Sequence, residues 1–143
     1  MEKKKYTLML VDDEDIILNA LKGAFEDDYN IITAVSGEEA LSKIAKEQFE
    51  IIICDMRMPG IQGYDVLKSV VAKDQSIRRI LLTGFSDEKA AQAAIDLGKI
   101  HQYKSKPINL IELGALLKTE LQQYEKDKDR DMDRDRGGQG QAA

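Results

Sequence analysis

The sequence predicts an α/β protein of five consecutive strand–helix units, with an open parallel sheet covered by helices on both faces. Two observations lead to this fold class. Short apolar runs alternate along the chain with amphipathic stretches of helical spacing. The apolar runs are continuous, as strands of a parallel sheet covered on both faces require. Short connections and right-handed crossovers then place helices on both sides of the sheet.

Four strongly apolar runs and one weaker run mark the predicted strands. The four apolar runs are residues 6–11, 31–35, 49–54 and 80–83. Residues 101–104 are less apolar, which is typical of a strand at the edge of a sheet.

The predicted helices lie between these runs and after the last one. Ile16, Ala20 and Leu21 begin an apolar face that continues to residue 25, and Ser36 with Glu39 forms a capping-box signature for the second helix. Further helices are predicted over residues 64–72, 87–97 and 107–124. Gly98 is expected to end the fourth helix.

The composition is that of one folded domain in a reducing environment. The chain has 143 residues, 43% hydrophobic and 33% charged, and its net charge of −5 disfavours direct nucleic-acid binding. Its single cysteine excludes an internal disulfide. No apolar run approaches the roughly 20 residues of a membrane span. We therefore expect a soluble, cytoplasmic protein without membrane contact.

Residues 125–143 differ from the rest of the chain. Residues 125–136 alternate in charge and residues 137–140 are rich in glycine, with no apolar stripe. Like charges four residues apart repel in a helix, and aspartate is a poor helix former. We expect a folded domain over residues 1–124, followed by a charged, flexible C-terminal tail or helix extension.

Chemically active side chains follow four of the predicted strands. Asp12 and Asp13 follow the first strand and Asp55 the third, Thr83 ends the fourth, and Lys106 follows the fifth. Ligands of open α/β sheets bind beyond the carboxyl ends of the strands. The sequence therefore predicts that three carboxylates, a hydroxyl and an ammonium meet at one edge of the sheet.

This set of groups favours chemistry on a phosphoryl group. Three neighbouring carboxylates repel one another unless a cation lies among them, and an all-oxygen site suits Mg²⁺ or Ca²⁺. A metal ion and a nearby lysine together stabilise a phosphoryl group. The chain lacks a GxxxxGK[ST] loop that would hold a nucleotide, whereas a carboxylate such as Asp55 can itself accept phosphate as an acyl phosphate.

Four short motifs at these strand ends carry a resemblance to a known family. They are residues 11–13 (VDD), 54–60 (CDMRMPG), 82–84 (LTG) and 104–107 (KSKP). Together they resemble the receiver domain of two-component response regulators over about residues 5–124. The resemblance implies a flavodoxin-like, doubly wound sheet of order 2-1-3-4-5 and a receiver domain over residues 1–124.

The resemblance also implies a phosphoacceptor and a metal site. Asp55 would accept a phosphoryl group from the phosphohistidine of a sensor histidine kinase or phosphotransfer protein. Asp13, Asp55 and the backbone carbonyl of Arg57 would ligate Mg²⁺, with Asp12 acting mostly through water. Lys106 would pair with a phosphoryl oxygen.

The resemblance further implies a switch. Thr83 would donate its hydroxyl to the phosphoryl group, and Tyr103 would turn inward behind it. The face made by the fourth helix, fifth strand and fifth helix would change and control a downstream target or a missing output domain, with phosphorylation-enhanced homodimerisation. The peptide bond before Pro107 is expected to be cis.

Two bulky residues stand where the family tunes the access of water to the acyl phosphate. They are Arg57, two residues after Asp55, and Phe85, two residues after Thr83. We expect them to shield the phosphoryl group, giving a phosphorylated state that is not especially short-lived.

Two other kinds of protein remain as alternatives to a phosphorylated signalling domain. One is a phosphate-independent scaffold of the same fold. The other is a phosphatase with an aspartate nucleophile, but such enzymes need a second aspartate where this chain has Arg57. We therefore expect no enzyme activity beyond the domain's own phosphorylation and slow dephosphorylation.

Overall fold

Five parallel strands form one sheet in the order β2-β1-β3-β4-β5, which confirms the predicted order. A computed structural model describes the backbone of residues 4–142 and the side chains of residues 4–130. The strands are β1 (Thr7–Val11), β2 (Asn30–Ala34), β3 (Ile51–Asp55), β4 (Arg78–Thr83) and β5 (Gln102–Ser105).

Strand β4 begins two residues earlier than its apolar run predicts. Arg78 and Arg79 belong to the strand and are both buried, although each carries a charge. Their guanidinium groups are hydrogen-bonded, Arg78 to the Glu120 carboxylate and Arg79 to backbone carbonyls. Because these partners compensate the burial of both charges, the strand extends beyond its apolar segment.

Five helices connect and follow the strands. They are α1 (Asp15–Phe25), α2 (Gly37–Lys46), α3 (Gly63–Lys73), α4 (Glu88–Asp96) and α5 (Leu110–Ala142), with a 3₁₀ turn at Phe85–Asp87 directly before α4. None of the helices, over the residues whose backbone is described, combines the length and apolar character needed to cross a bilayer.

Local signals explain where several helices begin and end. Ser36 Oγ accepts a hydrogen bond of 3.1 Å from the Glu39 backbone N–H, so the predicted cap of α2 is confirmed. Gly98, with φ of 72°, follows α4 as predicted. Helix α5 begins at Leu110 rather than at residue 107, because Asn109 Oδ1 accepts from the Glu112 backbone N–H and caps the helix there.

The helices cover the sheet on both faces. Helices α1 and α5 pack on one face against side chains such as Leu10 and Leu82. Helices α2, α3 and α4 pack on the other face against side chains such as Met9 and Leu81. Since alternate residues of each strand point to opposite faces, both sets must be apolar, which explains the continuous apolar runs.

Helix α5 continues without a break past residue 124, the predicted end of the folded domain. Contacts among the described residues join this part of the helix to the sheet and its neighbouring segments. Tyr6 donates a hydrogen bond of 2.6 Å to Glu125, Arg78 lies 3.2 Å from Asp127, and Lys128 lies 4.0 Å from Asp74. The predicted tail over residues 125–143 lies partly outside the described residues, since side chains are described only up to residue 130.

Candidate functional site

Three carboxylates meet where strands β1 and β3 end. Val11 pairs with Cys54 in the sheet, so the next residues of the two strands, Asp12 and Asp55, lie side by side. One carboxylate oxygen from each of Asp12, Asp13 and Asp55 lies within 4.8 Å of the other two. Asp12 and Asp55 are buried, whereas Asp13 is exposed to solvent. The sheet therefore brings together the acidic residues that the sequence places at separate strand ends.

The buried Asp12 carboxylate is held in place but only partly hydrogen-bonded. Its Oδ1 accepts a bond of 2.9 Å from the Glu14 backbone N–H. Its Oδ2 is buried and lies 3.3 Å from the Lys106 ammonium, but it accepts no well-directed hydrogen bond from the described residues. A buried carboxylate oxygen that is not fully hydrogen-bonded, next to two further carboxylates, is chemically suited to a hard divalent cation such as Mg²⁺.

Lys106 brings a positive charge to the same carboxylates. Its Nζ lies 3.3 Å from Asp55 Oδ2, 3.3 Å from Asp12 Oδ2 and 3.8 Å from Glu14 Oε1. Its backbone N–H donates to the Thr83 carbonyl at 2.8 Å, and the Lys106–Pro107 peptide bond is cis. The end of β5 thus holds the ammonium over the acidic cluster.

Burial raises the pKa values of two carboxylates of the cluster, Asp12 and Asp55. Desolvation, and then the nearby Asp12 charge, raise the pKa of Asp55 to about 6 against the opposing effect of Lys106. Desolvation likewise raises the pKa of Asp12. Partial burial disfavours the charged form of Lys106, but Asp55 and Asp12 outweigh it and raise the pKa of the ammonium. A second cation at this site would therefore relieve a charge imbalance.

Thr83 ends β4 beside this acidic cluster with an unused hydroxyl group. Leu82 pairs with Asp55 across the two strands, so Thr83 lies one residue beyond the phosphoacceptor candidate. Its Oγ1 is buried and has no hydrogen-bond partner within the described part of the chain. A buried hydroxyl without a hydrogen-bond partner is energetically unfavourable. A hydrogen-bond acceptor attached to Asp55 would therefore stabilise the Thr83 hydroxyl.

The loop after β3 is held tightly against the site. The Met56 backbone N–H donates to Leu82 at 2.8 Å, and the Gly63 N–H donates to Met56 at 2.9 Å. A Cβ atom at Gly63 would lie 2.0 Å from the Asp55 carbonyl oxygen, so only glycine allows α3 to start this close to the strand. These contacts set the position of the loop that carries Arg57.

The two bulky residues predicted beside the site differ in their surroundings. Phe85 is 86% exposed. The Arg57 guanidinium donates to both carboxylate oxygens of Asp87, over 2.7 and 2.6 Å. These hydrogen bonds hold the pKa of Asp87 below its ordinary value. Asp87 is not recognisable from the sequence as part of the site, because it directly precedes α4 and resembles an ordinary acidic residue at a helix start.

Tyr103 and His101 lie on or next to the edge strand. Tyr103 is half-buried and packs against the core between the sheet and helices α2 to α4. His101 precedes β5, at the end of the sheet opposite to Asp55, and its Nδ1 accepts a bond of 2.9 Å from the Arg79 backbone N–H. Desolvation, and then the charge of Arg79, lower the pKa of His101 to about 3.

Comparison with known proteins identifies the family to which this chain belongs. The sequence model of the response regulator receiver domain matches residues 8–118. The hydrogenase transcriptional regulatory protein HoxA of Cupriavidus necator is 33% identical over 107 residues, which cover 75% of this chain but only 22% of HoxA. The sporulation initiation phosphotransferase F of Bacillus subtilis is 29% identical over 115 residues, covering 80% of this chain and 92% of that protein.

A solved structure extends the comparison to the fold. The crystal structure described as adenylate cyclase from Rhodopirellula baltica superposes with a TM-score of 0.85 and 30% sequence identity, covering 89% of this chain and 95% of that one. The region that the family model matches contains β1 from Leu8 onward, the other four strands and the residues that converge at their carboxyl ends. The chain therefore belongs to the response regulator receiver domain family, the signalling domains of two-component systems.

Proposed function

We propose that this receiver domain is a phosphorylation-dependent switch in which Asp55 accepts the phosphoryl group. The observation that carries the proposal is the position of the buried Asp55 carboxylate, 3.3 Å from the Lys106 ammonium and within a cluster of three carboxylates. Asp55 ends its strand at the edge of the sheet where ligands of such folds bind.

Mg²⁺ is the cofactor that the donor set fits. Asp13, Asp55 and the backbone carbonyl of Arg57 would hold it, and Asp12 would act mostly through water. When bound, Mg²⁺ supplies positive charge that offsets the charge on the phosphoryl oxygens. The Oδ2 of Asp12 supports this assignment, since it is a buried acceptor that lies 3.3 Å from the Lys106 ammonium but accepts no well-directed hydrogen bond within the described residues.

The phosphodonor would be the phosphohistidine of a sensor histidine kinase or a phosphotransfer protein. A carboxylate oxygen of Asp55 attacks the phosphorus atom and forms the new O–P bond. The P–N bond breaks, its electron pair stays on the imidazole nitrogen, and that nitrogen takes a proton from solvent. Lys106 offsets charge on a phosphoryl oxygen, for which a mobile ammonium is suited.

An apolar groove beside the site supports the approach of a donor from the side of α1 and α5. It has a volume of about 240 Å³ and an exposed rim that includes Ile16. Its lining includes Ile16, Ile17, Ala20, Lys106, Pro107 and Leu110. Since Lys106 contributes to both the groove and the site, a helix of the donor seated here would lie close to Asp55.

The response to phosphorylation would start at Thr83. Its buried hydroxyl would donate to a phosphoryl oxygen, and the half-buried Tyr103 would turn inward behind it. The surface formed by α4, β5 and α5 would then change, promote homodimerisation and control a downstream target or an output domain. An output domain is consistent with relatives such as HoxA, of which this chain spans 22%.

The receiver unit would comprise residues 1–124, with residues 125–143 as a charged tail or helix extension. Arg57 and Phe85 would shield the acyl phosphate from water and prolong its lifetime. The domain would act in signalling rather than turn over other substrates. Its own phosphorylation and slow dephosphorylation would be the reactions that it catalyses.

The proposal is tested with the full chain, a small phosphodonor such as acetyl phosphate, and Mg²⁺. Intact-mass measurement should detect one added phosphoryl group in the wild type and none in Asp55→Asn. Asp65→Asn is the matched control, because Asp65 is an exposed aspartate on α3 and should leave phosphorylation unchanged. A wild type that gains no phosphoryl group from this donor or from a histidine kinase would instead favour a phosphate-independent scaffold.

A further inference from the structure

An ion pair joins the two loops that leave the central strands β3 and β4. Arg57 belongs to the loop after β3, and Asp87 ends the 3₁₀ turn after β4. Nε of Arg57 donates to Oδ2 of Asp87 over 2.7 Å, and Nη2 donates to Oδ1 over 2.6 Å. Two parallel hydrogen bonds between a planar guanidinium and a carboxylate restrict both distance and orientation.

The two partners of this ion pair differ in solvent exposure. The Asp87 side chain is only 7% exposed, whereas the Arg57 side chain is 68% exposed. The pair therefore lies at the surface of the molecule, with Asp87 covered by its neighbours and the guanidinium in contact with water. Within the described residues, Arg57 is the cation paired with Asp87. If the pair is pulled apart, Asp87 keeps a poorly solvated charge without a cation, whereas Arg57 can be solvated.

Asp87 is also coupled to Thr83 through a short segment of backbone. The Asp87 backbone N–H donates to the Gly84 carbonyl at 3.0 Å, which closes the turn directly after Thr83. On the other side, the hydrogen bonds of Met56 to Leu82 and of Gly63 to Met56 hold the loop of Arg57 beside β3. A shift of Thr83 toward Asp55 therefore displaces the turn relative to Arg57.

We infer that Asp87 is a positioning residue which, through Arg57, holds the Thr83 loop in the position that leaves the Thr83 hydroxyl without an acceptor among the described residues. The inference rests on the proposed phosphorylation of Asp55. The ion pair is formed in the arrangement in which Thr83 Oγ1 has no hydrogen-bond partner among the described residues. Because the two-point contact restricts both distance and orientation, displacing the turn relative to Arg57 weakens the Arg57–Asp87 ion pair, so the ion pair opposes the switch.

The inference predicts tighter binding of a phosphoryl mimic once the ion pair is removed. The probe is beryllofluoride, titrated calorimetrically into the full chain at saturating Mg²⁺. Asp87→Asn keeps the shape of the side chain but removes its charge, and should tighten beryllofluoride binding by about three- to tenfold. Arg57→Gln should tighten it similarly, and the double variant should bind no more tightly than the better single variant.

If Asp87→Asn merely loosened the loop, the affinity for beryllofluoride would change differently. Asp87→Asn should lower stability in denaturant while raising affinity for beryllofluoride, and a loosened loop without a positioning role would not raise that affinity. Affinity for Mg²⁺ alone should stay within about twofold of wild type, because Mg²⁺ binding does not require Thr83 to move. Asp87→Glu keeps the charge and should remain closer to wild type than Asp87→Asn.

The outcomes separate this inference from the proposed function. If the wild type binds beryllofluoride but Asp87→Asn binds equally or more weakly, the positioning role is wrong and the proposed function stands. If the wild type neither binds beryllofluoride nor gains a phosphoryl group, both are wrong. If Asp87→Asn does not fold, Arg57→Lys decides the question, since it weakens the two-point contact but keeps the charge. Unchanged or weaker beryllofluoride binding by that variant would overturn the inference.

Discussion

The Lys106 ammonium lies 3.3 Å from Oδ2 of Asp55, which ends the central strand β3. The single positive charge of Lys106 does not balance the negative charge of this site, because oxygen atoms of Asp12 and Asp13 lie within 4.8 Å of an Asp55 oxygen. The pKa of Asp55 is accordingly raised to about 6, first by desolvation and then by the Asp12 charge. The charges suited to phosphoryl chemistry are thus gathered at a cost to the stability of the metal-free protein.

Removing the Asp55 charge should stabilise the metal-free protein. The folded-state pKa of about 6 exceeds the ordinary value of 3.8, so the folded protein binds the additional proton between these pH values. Stability should therefore fall as pH rises from 3.8 to 6. In the presence of a chelator at pH 7.5, Asp55→Asn should raise the free energy of unfolding by about 2 kcal/mol.

Denaturant titrations across this pH range check the effect. Asp65→Asn provides the control for loss of an exposed aspartate on α3. Equal or lower stability of Asp55→Asn at pH 7.5 would contradict the electrostatic cost assigned to Asp55.

Mg²⁺ should stabilise the wild type by binding the carboxylate cluster. A concentration one hundredfold above its dissociation constant should add about 2.7 kcal/mol to the free energy of unfolding. Asp13→Asn removes an exposed carboxylate of the cluster and should largely abolish the gain. Thermal unfolding with increasing Mg²⁺ measures both, and an undiminished gain in Asp13→Asn would exclude that residue as a ligand.

His101 should make the protein sensitive to acid. Desolvation, and then the Arg79 charge, lower its pKa from 6.5 to about 3, so unfolded chains bind a proton in this window that folded chains do not. The stability contribution of neutral His101 is complete above pH 6.5 and is lost as pH falls toward 3. Protonation of Asp55 has the opposite effect on stability in part of this pH range. The effect of His101 should therefore be measured in the Asp55→Asn variant, in which residue 55 does not titrate.

In that background, His101→Asn should reduce the loss of stability between pH 6.5 and 4 by about 2 kcal/mol. Asparagine retains an acceptor for the Arg79 backbone N–H but does not titrate. Urea denaturation at several pH values measures the slope. An unchanged slope would show that another group is responsible for the acid sensitivity.

Breaking the buried Arg78–Glu120 ion pair should destabilise the fold. Its atoms lie 2.7 Å apart, and the two side chains are only 10% and 5% exposed. Glu120→Gln leaves Arg78 with less compensation and should cost about 2–4 kcal/mol. Lys104→Gln is the control, because it removes an exposed pair of 3.9 Å with Glu112 and should cost less than about 0.5 kcal/mol. Denaturation midpoints compare the two, and equal effects would contradict the role of burial.

Shielding by Arg57 and Phe85 should lengthen the life of the phosphorylated state. The double variant Arg57→Ala/Phe85→Ala should release phosphate at least about threefold faster, because water then reaches the acyl phosphate more easily. The decay is followed by intact mass after the phosphodonor is removed. Unchanged phosphate release would refute the shielding role and leave phosphorylation of Asp55 unaffected.

The fold could be predicted from the sequence because its signals are local. The four apolar runs are continuous, and the ends of each run lie within two residues of the ends of an observed strand. Capping by Ser36 and the turn at Gly98 likewise depend on neighbouring residues. The strand order came from the resemblance to receiver domains, since a local pattern does not specify which strands are neighbours.

Much of the candidate site could also be predicted, for a simple geometric reason. In a parallel sheet the carboxyl ends of all strands lie at one edge, so Asp12, Asp55, Thr83 and Lys106 converge once the strands are known. The distances and burial that raise the pKa of Asp55 depend on how tightly those ends pack, and the sequence does not contain them.

The sequence by itself determined the order of the elements and the chemical groups at the ends of the strands. Only the tertiary structure decided which charged residues pair. Arg57 and Asp87 are 30 residues apart, Arg78 and Glu120 are 42 apart, and each pair joins different elements. Periodicity and capping arise from neighbours along the chain, whereas these pairs depend on packing between elements. Asp87 and Glu120 therefore resemble ordinary acidic residues until the folded chain places each beside its arginine.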